Sequence, residues 1–191
     1  MIGEKGMNNV SHNTKSESNK SLSQIVVDLL YLDLSVCTRC KGTESSLEDS
    51  LNEVLALLNN TGKAVQLNKI HIESEEDAIK HRFISSPTIR VNGKDIQMEV
   101  KENHCSTCSS LTEGASVDCR IWLYKGREWS VPPKEMIINA ILGEIYHPQE
   151  KLEAREYIMP DNLMEYFQKK DKLCANVSES HNHCCESSCC E

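Results

Sequence analysis

The stretch "LSVCTRCKGTESSLED", Leu34 to Asp49, stands where an apolar run gives way to a helical pattern. The preceding "QIVVDLLYLDL", residues 24–34, is dense in apolar and β-branched residues, which predicts a central strand buried on both faces. After it, apolar residues recur at helical spacing, and Thr43 is the predicted N-cap. Cys37 and Cys40 therefore lie between a strand and a helix, where they could hold a metal, exchange electrons or fill a core. The apolar residues of the predicted helix are Leu47, Leu51, Val54, Leu55 and Leu58.

Composition narrows the classes of function. The chain has 191 residues and a net charge of −8, from 21 basic and 29 acidic side chains, with no basic cluster. This argues against a nucleic-acid partner. The sequence shows neither an apolar stretch as long as a membrane span nor the apolar segment of a signal peptide, so we expect a cytoplasmic protein. In that compartment, paired cysteines among the ten present indicate redox or metal sites rather than structural disulfides.

The pattern downstream alternates between strand and helix signals. A second strand is predicted at residues 64–72, and a short helix opens at Ser74. A hairpin turns at Asn92-Gly93. The segment "KENHCSTCSSLTEGASVD", residues 101–118, lacks periodicity and predicts an inserted loop. The sequence thus predicts an α/β fold, a mixed sheet flanked by helices with a cysteine-bearing loop insertion. A strand or hairpin at 119–131 and a helix starting with Pro133 complete it.

The chain divides into four predicted parts. Residues 1–22 are rich in serine, asparagine and lysine and predict a disordered leader. Residues 23–147 form the predicted domain, and 148–173 a linker with a possible helix around residues 161–172. Residues 174–191 form a polar tail rich in cysteine and histidine, which we also expect to be disordered.

The order of elements around the dithiol resembles the thioredoxin-like fold over roughly residues 24–146. The segments "CTRCKGTE", "SPTIRVNGKDI", "HCSTC", "DCRIWLYKG" and "PPKEMIINAIL" are more closely similar to a bacterial thioredoxin-like family that is classed only as a domain of unknown function. The resemblance implies that Pro87 is the proline of that fold, which is usually cis and faces the dithiol. We therefore expect a cis Ser86-Pro87 bond.

The first cysteine pair predicts a redox site. A helix N-terminus and the charge of Arg39 favour the thiolate of Cys37. Cys37 would then be the exposed nucleophile, and Cys40 would resolve the mixed disulfide. With Pro87 shaping a substrate groove, these residues are the candidate catalytic set of a thiol–disulfide oxidoreductase, which would need a thiol-redox partner.

A second C-x-x-C pair, Cys105 and Cys108, leaves three interpretations open. It could complete a tetrahedral zinc site with Cys37 and Cys40. It could instead exchange disulfides with that pair, or bind a soft metal on its own. Cys119, at the start of a predicted strand, is as compatible with a small buried hydrophobe as with a functional thiol.

The tail predicts metal binding by its composition. Thiolate and imidazole ligands suit zinc(II), copper(I), arsenic(III) and mercury(II). Adjacent cysteines disfavour an internal disulfide because its geometry is strained. With Cys105 and Cys108, the candidate metal ligands are His181, His183, Cys184, Cys185, Cys189 and Cys190.

Two functions follow from these patterns. The favoured one is a thioredoxin-like dithiol protein that handles thiophilic metal or metalloid ions and serves a metal-efflux component. The alternative is the oxidoreductase, and a zinc-stabilised interaction domain is a further alternative.

Overall fold

The computed structural model describes residues 23–110, 117–147 and 156–180. Over these residues the chain is a mixed α/β structure with two sheets. The first sheet has the strand order β2-β1-β3-β4, with β1 and β2 parallel and β3 antiparallel to both β1 and β4. The second is an antiparallel sheet in the order β5-β6-β7. The strands are β1 Ser23–Tyr31, β2 Lys63–His71, β3 Thr88–Val91, β4 Lys94–Asp95, β5 Lys101–His104, β6 Asp118–Tyr124 and β7 Arg127–Trp129.

Five helices occur in the described ranges. They are α1 Thr38–Asn60, α2 Glu75–Lys80, α3 Ser106–Ser110, α4 Lys134–Tyr146 and α5 Asp161–Ser180. Ser74 caps α2 by accepting a hydrogen bond from the Asp77 backbone N–H, as its capping-box pattern predicts. Pro133 is the N-cap of α4. No helix within these three ranges is long and apolar enough to cross a membrane.

The central strand β1 separates two apolar cores because successive side chains point to opposite faces. Val27 and Leu29 pack in a core formed with α1, β3 and α4. Leu30 belongs to the other core, which contains five buried cysteines and residues of α2 and α5. The prediction that this strand is buried on both faces is therefore confirmed, although the strand ends at Tyr31 rather than at Leu34.

The hairpins agree with their turn signals. Asn92 and Gly93 both adopt positive φ, at 50° and 82°, between antiparallel β3 and β4. This conformation is the reason that Asn-Gly is favoured there. The pairing is shorter than predicted, since β4 ends at Asp95 and Met98 lies outside it with 63% of its surface exposed.

Two local predictions are wrong. The helix after the first cysteine pair begins at Thr38 with Cys37 as N-cap, so Thr43 is a buried interior residue rather than the cap. Residues 101–118 are not an irregular loop throughout, because the segment contributes β5 and α3. The first error concerns the boundary of a long helix, which sequence patterns locate poorly. The second concerns short elements whose formation depends on tertiary contacts more than on propensity.

A buried ion pair ties the two sheets together. Arg120 of β6 is fully buried and donates to both carboxylate oxygens of Asp95 in β4, at 2.9 and 2.8 Å. The backbone N–H of Arg120 also donates to Ser86 O at 2.8 Å. A charge buried in this way needs its partner, since desolvation is otherwise uncompensated. These contacts fix β6, and hence Cys119, against the segment that contains Pro87.

Helix α5 covers the cysteine-containing core. Leu163, Tyr166 and Phe167 are buried in that core. The side chain of Asn162 exchanges hydrogen bonds with the Asp118 backbone, at 2.9 and 3.1 Å, which holds the start of α5 against β6. A helix over residues 161–172 is therefore confirmed.

Candidate metal centre

Four cysteines from three separate segments converge in the core beneath α5. The sulfur atoms of this group, the four-cysteine cluster, all lie within 4.8 Å of one another. Cys108 Sγ is 3.4 Å from Cys37 Sγ and 3.4 Å from Cys119 Sγ. None of the four side chains is more than 2% exposed. The members of the cluster are Cys37, Cys105, Cys108 and Cys119.

The loop before α1 places Cys37. The Asp33 carboxylate accepts hydrogen bonds from the backbone N–H groups of Val36, at 2.7 Å, and Cys37, at 3.3 Å. It also accepts from the Ser35 hydroxyl at 3.0 Å. These bonds turn the chain so that Cys37 is the N-cap of α1, at the positive end of the helix dipole.

Helix α3, the residue before it and strand β6 supply the other three sulfurs. Cys105 directly precedes α3 and Cys108 lies in the first turn of that helix, and both sulfurs belong to the cluster. Antiparallel pairing sets Cys119 opposite Asn103, two residues before Cys105. The Cys105 backbone N–H donates to Val117 O at 2.8 Å, which closes the connection between the two strands.

Arg39 connects all three segments. Its guanidinium donates to the carbonyl oxygens of Cys119, at 3.1 Å, of His104, at 3.0 Å, and of Asn103, at 3.4 Å. The residue inside the first C-x-x-C motif thus holds the ends of β5 and β6 against the start of α1. Its role in the structure is to position the cluster, which the sequence prediction of a purely electrostatic role missed.

The four thiols do not ionise alike, because they share hydrogen bonds. Bonds from Cys105 and Cys108 lower the pKa of Cys37, and bonds from Cys108 and Cys119 lower the pKa of Cys105 to about 6. Donating those bonds raises the pKa of Cys108 and of Cys119, and desolvation adds to the rise. The direction predicted for Cys37 is thus supported by this network. Cys37 and Cys105 therefore have thiolate character, whereas Cys108 and Cys119 keep their protons until a bound ion displaces them.

Cys40 lies beside the cluster and outside it. Its sulfur contacts the Ser86 hydroxyl at 3.4 Å, and Ser86 Oγ accepts from the Leu32 backbone N–H at 3.1 Å. A hydrogen bond with Cys37 and desolvation raise the pKa of Cys40. The Ser86-Pro87 bond is cis, as predicted. The contact between Cys40 and Ser86 places the residue before Pro87 against the first cysteine pair.

Three sequence expectations about this region need correction. Cys37 is fully buried and not an exposed nucleophile. The fourth member of the cluster is Cys119 and not Cys40, so the two C-x-x-C pairs do not form a four-sulfur site between themselves. The pair Cys105 and Cys108 is also not an independent clamp, since Cys37 lies in contact with it.

The remaining assignments stay predictions. His181, His183, Cys184, Cys185, Cys189 and Cys190 lie outside the described residues. The catalytic roles assigned to Cys37, Cys40 and Pro87 likewise stay predictions. Cys37 and Cys40 share one core, and Cys40 contacts Ser86, the residue before Pro87.

The part of the chain that builds the cluster coincides with a known family. The profile of a family described as Domain of unknown function (DUF2703) matches residues 25–141, which include most of β1 and all four sulfurs. The chain belongs to this family. Neither the curated proteins nor the solved structures contain a match to it. For this DUF2703 protein, the four-cysteine cluster is therefore the feature that indicates a function.

Proposed function

We propose that this DUF2703 protein binds a thiophilic metal or metalloid ion in the four-cysteine cluster. The observation that carries the proposal is the convergence of four buried sulfurs within 4.8 Å of one another. Free thiols are small hydrophobes that pack with any apolar neighbour, so packing alone does not explain why cysteines from three segments converge. Binding of one soft ion by all of them does explain it.

The spacing of the sulfurs suits an ion at their centre. A tetrahedral site with metal–sulfur bonds of about 2.3 Å has sulfur–sulfur edges of about 3.8 Å. The cluster has edges of 3.4 Å at Cys108 and a maximum of 4.8 Å, so small side-chain rotations suffice to admit an ion. Zinc(II), copper(I), arsenic(III) and mercury(II) are the candidate ions for such a donor set.

We also propose that the fold which carries the cluster is thioredoxin-like. The strand order β2-β1-β3-β4, the dithiol at the start of α1 and the cis Ser86-Pro87 bond support it. On such a scaffold the function belongs to the site and not to the fold. In this protein, three further sulfurs, those of residues 105, 108 and 119, lie next to the first cysteine of the dithiol.

The tail and the partner complete the proposal. We assign the tail, residues 174–191, to capture of the same soft ions, because it carries six cysteine and histidine residues between His181 and Cys190. The protein would act in the cytoplasm and pass its ion to a metal-efflux component. Neither step needs a nucleic acid or a membrane span.

A thiol–disulfide oxidoreductase is the second candidate function. The contact between Cys40 and Ser86, next to the cis proline, favours it. Full burial of both sulfurs opposes attack on a protein disulfide, since exchange requires access. A zinc-stabilised interaction domain is the third candidate, and it requires that the metal-free chain does not fold.

The experiment is an ion titration of a full-length variant in which the five C-terminal cysteines are serine. Cys174, Cys184, Cys185, Cys189 and Cys190 are replaced, which leaves the four-cysteine cluster and Cys40. The reduced protein is titrated separately with zinc(II), copper(I), arsenite and mercury(II). We expect one tightly bound ion per chain. Absence of binding for all four ions would refute the proposal, and turnover of a disulfide substrate would then favour the oxidoreductase.

Arg39 provides a test of how the cluster is held. Arg39→Gln removes most of the hydrogen bonds to the three carbonyls but leaves every sulfur in place. Loss of a residue that orients ligands typically weakens metal affinity about 10- to 100-fold, and we expect a weakening in that range. The matched control is Arg127→Gln on the exposed strand β7, which should leave the affinity unchanged. Equal affinities for the two variants would show that the cluster needs no support from Arg39.

A further inference from the structure

From the charges and spacing within the cluster we infer that its preferred ligand is a trivalent metalloid ion of the arsenic(III) type. Three thiolates hold it, those of Cys37, Cys108 and Cys119, while Cys105 stays outside the coordination shell. This inference rests on the proposed function and names its substrate class. It differs from a zinc centre in the charge, the number of ligands and the arrangement of the sulfurs.

The charge of the complex is the first argument. A divalent ion with four thiolates carries a net charge of −2. A trivalent ion with three thiolates is neutral, so the ion and all four sulfurs together carry only the −1 of the ionised Cys105. Burying uncompensated charge is costly, and these sulfurs are at most 2% exposed. The charges next to the cluster cancel, since Arg39 is bound to the Cys119 carbonyl and Asp33 to the Cys37 backbone. The α1 dipole offsets only about half of one charge.

The backbone around the cluster strengthens this argument. Zinc–thiolate centres offset their charge with N–H groups that point at sulfur, as with other buried anions. Here the N–H of Cys37 donates to the Asp33 carboxylate, and the N–H of Cys105 donates to Val117 O. Those two donors are therefore committed to oxygen. A neutral complex does not need N–H groups that donate to its sulfurs.

The spacing of the sulfurs is the second argument. A pyramidal ion, with bond angles close to a right angle, holds its sulfurs closer together than a tetrahedral ion does. The two 3.4 Å separations at Cys108 are shorter than the edge of about 3.8 Å in a tetrahedral zinc–sulfur site. Cys108 is the centre of a close trio with Cys37 and Cys119.

The binding step is an exchange of ligands without any redox change. Arsenous acid, As(OH)₃, loses three hydroxides as three arsenic–oxygen bonds break and three arsenic–sulfur bonds form. Each hydroxide leaves as water with the proton of one thiol, and a thiol that is already ionised releases hydroxide instead. Arsenic remains trivalent throughout.

The experiment compares arsenite with zinc(II) in the full-length variant that lacks the five C-terminal cysteines. We expect one equivalent of arsenite to displace bound zinc, and X-ray absorption at the arsenic edge to show three sulfur neighbours. Cys105→Ser should weaken zinc binding about tenfold or more, as loss of a ligand does, and change arsenite affinity by less than about threefold. Cys119→Ser, the matched variant within the trio, should weaken both.

The outcomes separate this inference from the proposed function. Tight zinc binding by four sulfurs without displacement by arsenite would overturn the inference and leave the proposed function intact. Equal loss of arsenite binding in the Cys105→Ser and Cys119→Ser variants would overturn the assignment of the trio. Failure of every ion to bind would refute both. Circular dichroism of each variant without ion shows whether it has folded, and Cys105→Ala replaces any serine variant that has not.

Discussion

Cys108→Ser is expected to abolish ion binding at the cluster, with a loss of at least about 100-fold in affinity for zinc(II) and for arsenite alike. Cys108 is the sulfur within 3.4 Å of both Cys37 and Cys119, so every coordination geometry that the cluster permits includes it. A serine hydroxyl at this place is a hard, neutral ligand and does not replace a thiolate for a soft ion. The measurement is competitive titration against a chelator of known affinity.

Cys40→Ser is the matched control for this loss. Cys40 is equally buried and belongs to the same core, but its sulfur contacts Ser86 Oγ and lies outside the four-cysteine cluster. We expect it to retain wild-type affinity within about threefold, since it removes no ligand. If Cys40→Ser lost as much affinity as Cys108→Ser, Cys40 would be a ligand and the composition of the cluster would be wrong.

Much of the fold was predictable because its signals are local. The apolar run before Cys37, the Asn92-Gly93 turn and the capping pattern at Ser74 each act within a few residues, and the structure confirms all three. The start of α1 was missed for a physical reason. Its N-cap is Cys37, whose conformation is fixed by the Asp33 carboxylate, and Thr43 is a good capping residue that is buried inside the helix.

The composition of the cluster could be predicted only in part. The two C-x-x-C motifs are visible in the sequence, and two of the three open interpretations require that they meet. The contribution of Cys119 depends on the pairing of β5 with β6, which sets Cys119 opposite Asn103. No short-range pattern encodes that register. A signal did exist in "DCRIWLY", since a cysteine within a strand adjoining a second C-x-x-C can pair back onto it.

The distinction between Cys37 and Cys40 also depended on tertiary structure. Spacing alone made the two cysteines a natural pair, because they are three residues apart at the start of a helix. The structure directs Cys40 towards Ser86 and Cys37 towards Cys108. The segment before Pro87 therefore does more than shape a groove. Its Ser86 contacts and positions Cys40, the cysteine that lies outside the four-cysteine cluster.

Ion binding should stabilise the folded protein, and for zinc(II) this stabilisation should depend steeply on pH. Free zinc at about 1,000 times its dissociation constant adds about 4.1 kcal/mol to the free energy of unfolding. That increment corresponds to a rise in melting temperature of roughly 8–16 °C for a chain of this size. Replacement of the cluster cysteines by serine should remove the increment. The measurement is thermal unfolding with and without zinc in the variant that lacks the five C-terminal cysteines.

The sign of the pH effect follows from the thiols that must lose protons. The pKa values of Cys108 and Cys119 are raised, so zinc displaces two protons as it binds, whereas those of Cys37 and Cys105 are lowered. Protons therefore compete with zinc, and stability contributed by zinc is present at high pH and lost as pH falls. Two displaced protons weaken the affinity about 100-fold, or about 2.7 kcal/mol, for each unit decrease in pH.

Arsenite should show no such loss. Its hydroxides carry away the protons of Cys108 and Cys119 as water, and the ionised Cys37 releases one hydroxide, so no proton is set free. Between pH 8 and pH 7 the zinc increment should therefore fall from about 4.1 to about 1.4 kcal/mol, while the arsenite increment should rise by about 1.4 kcal/mol, because one hydroxide is released for each ion bound. A zinc increment that does not change over this range would contradict the assignment of protons within the cluster. An arsenite increment that falls in parallel with that of zinc would mean that the metalloid binds by displacing protons into solution, and would contradict the ligand exchange proposed for it.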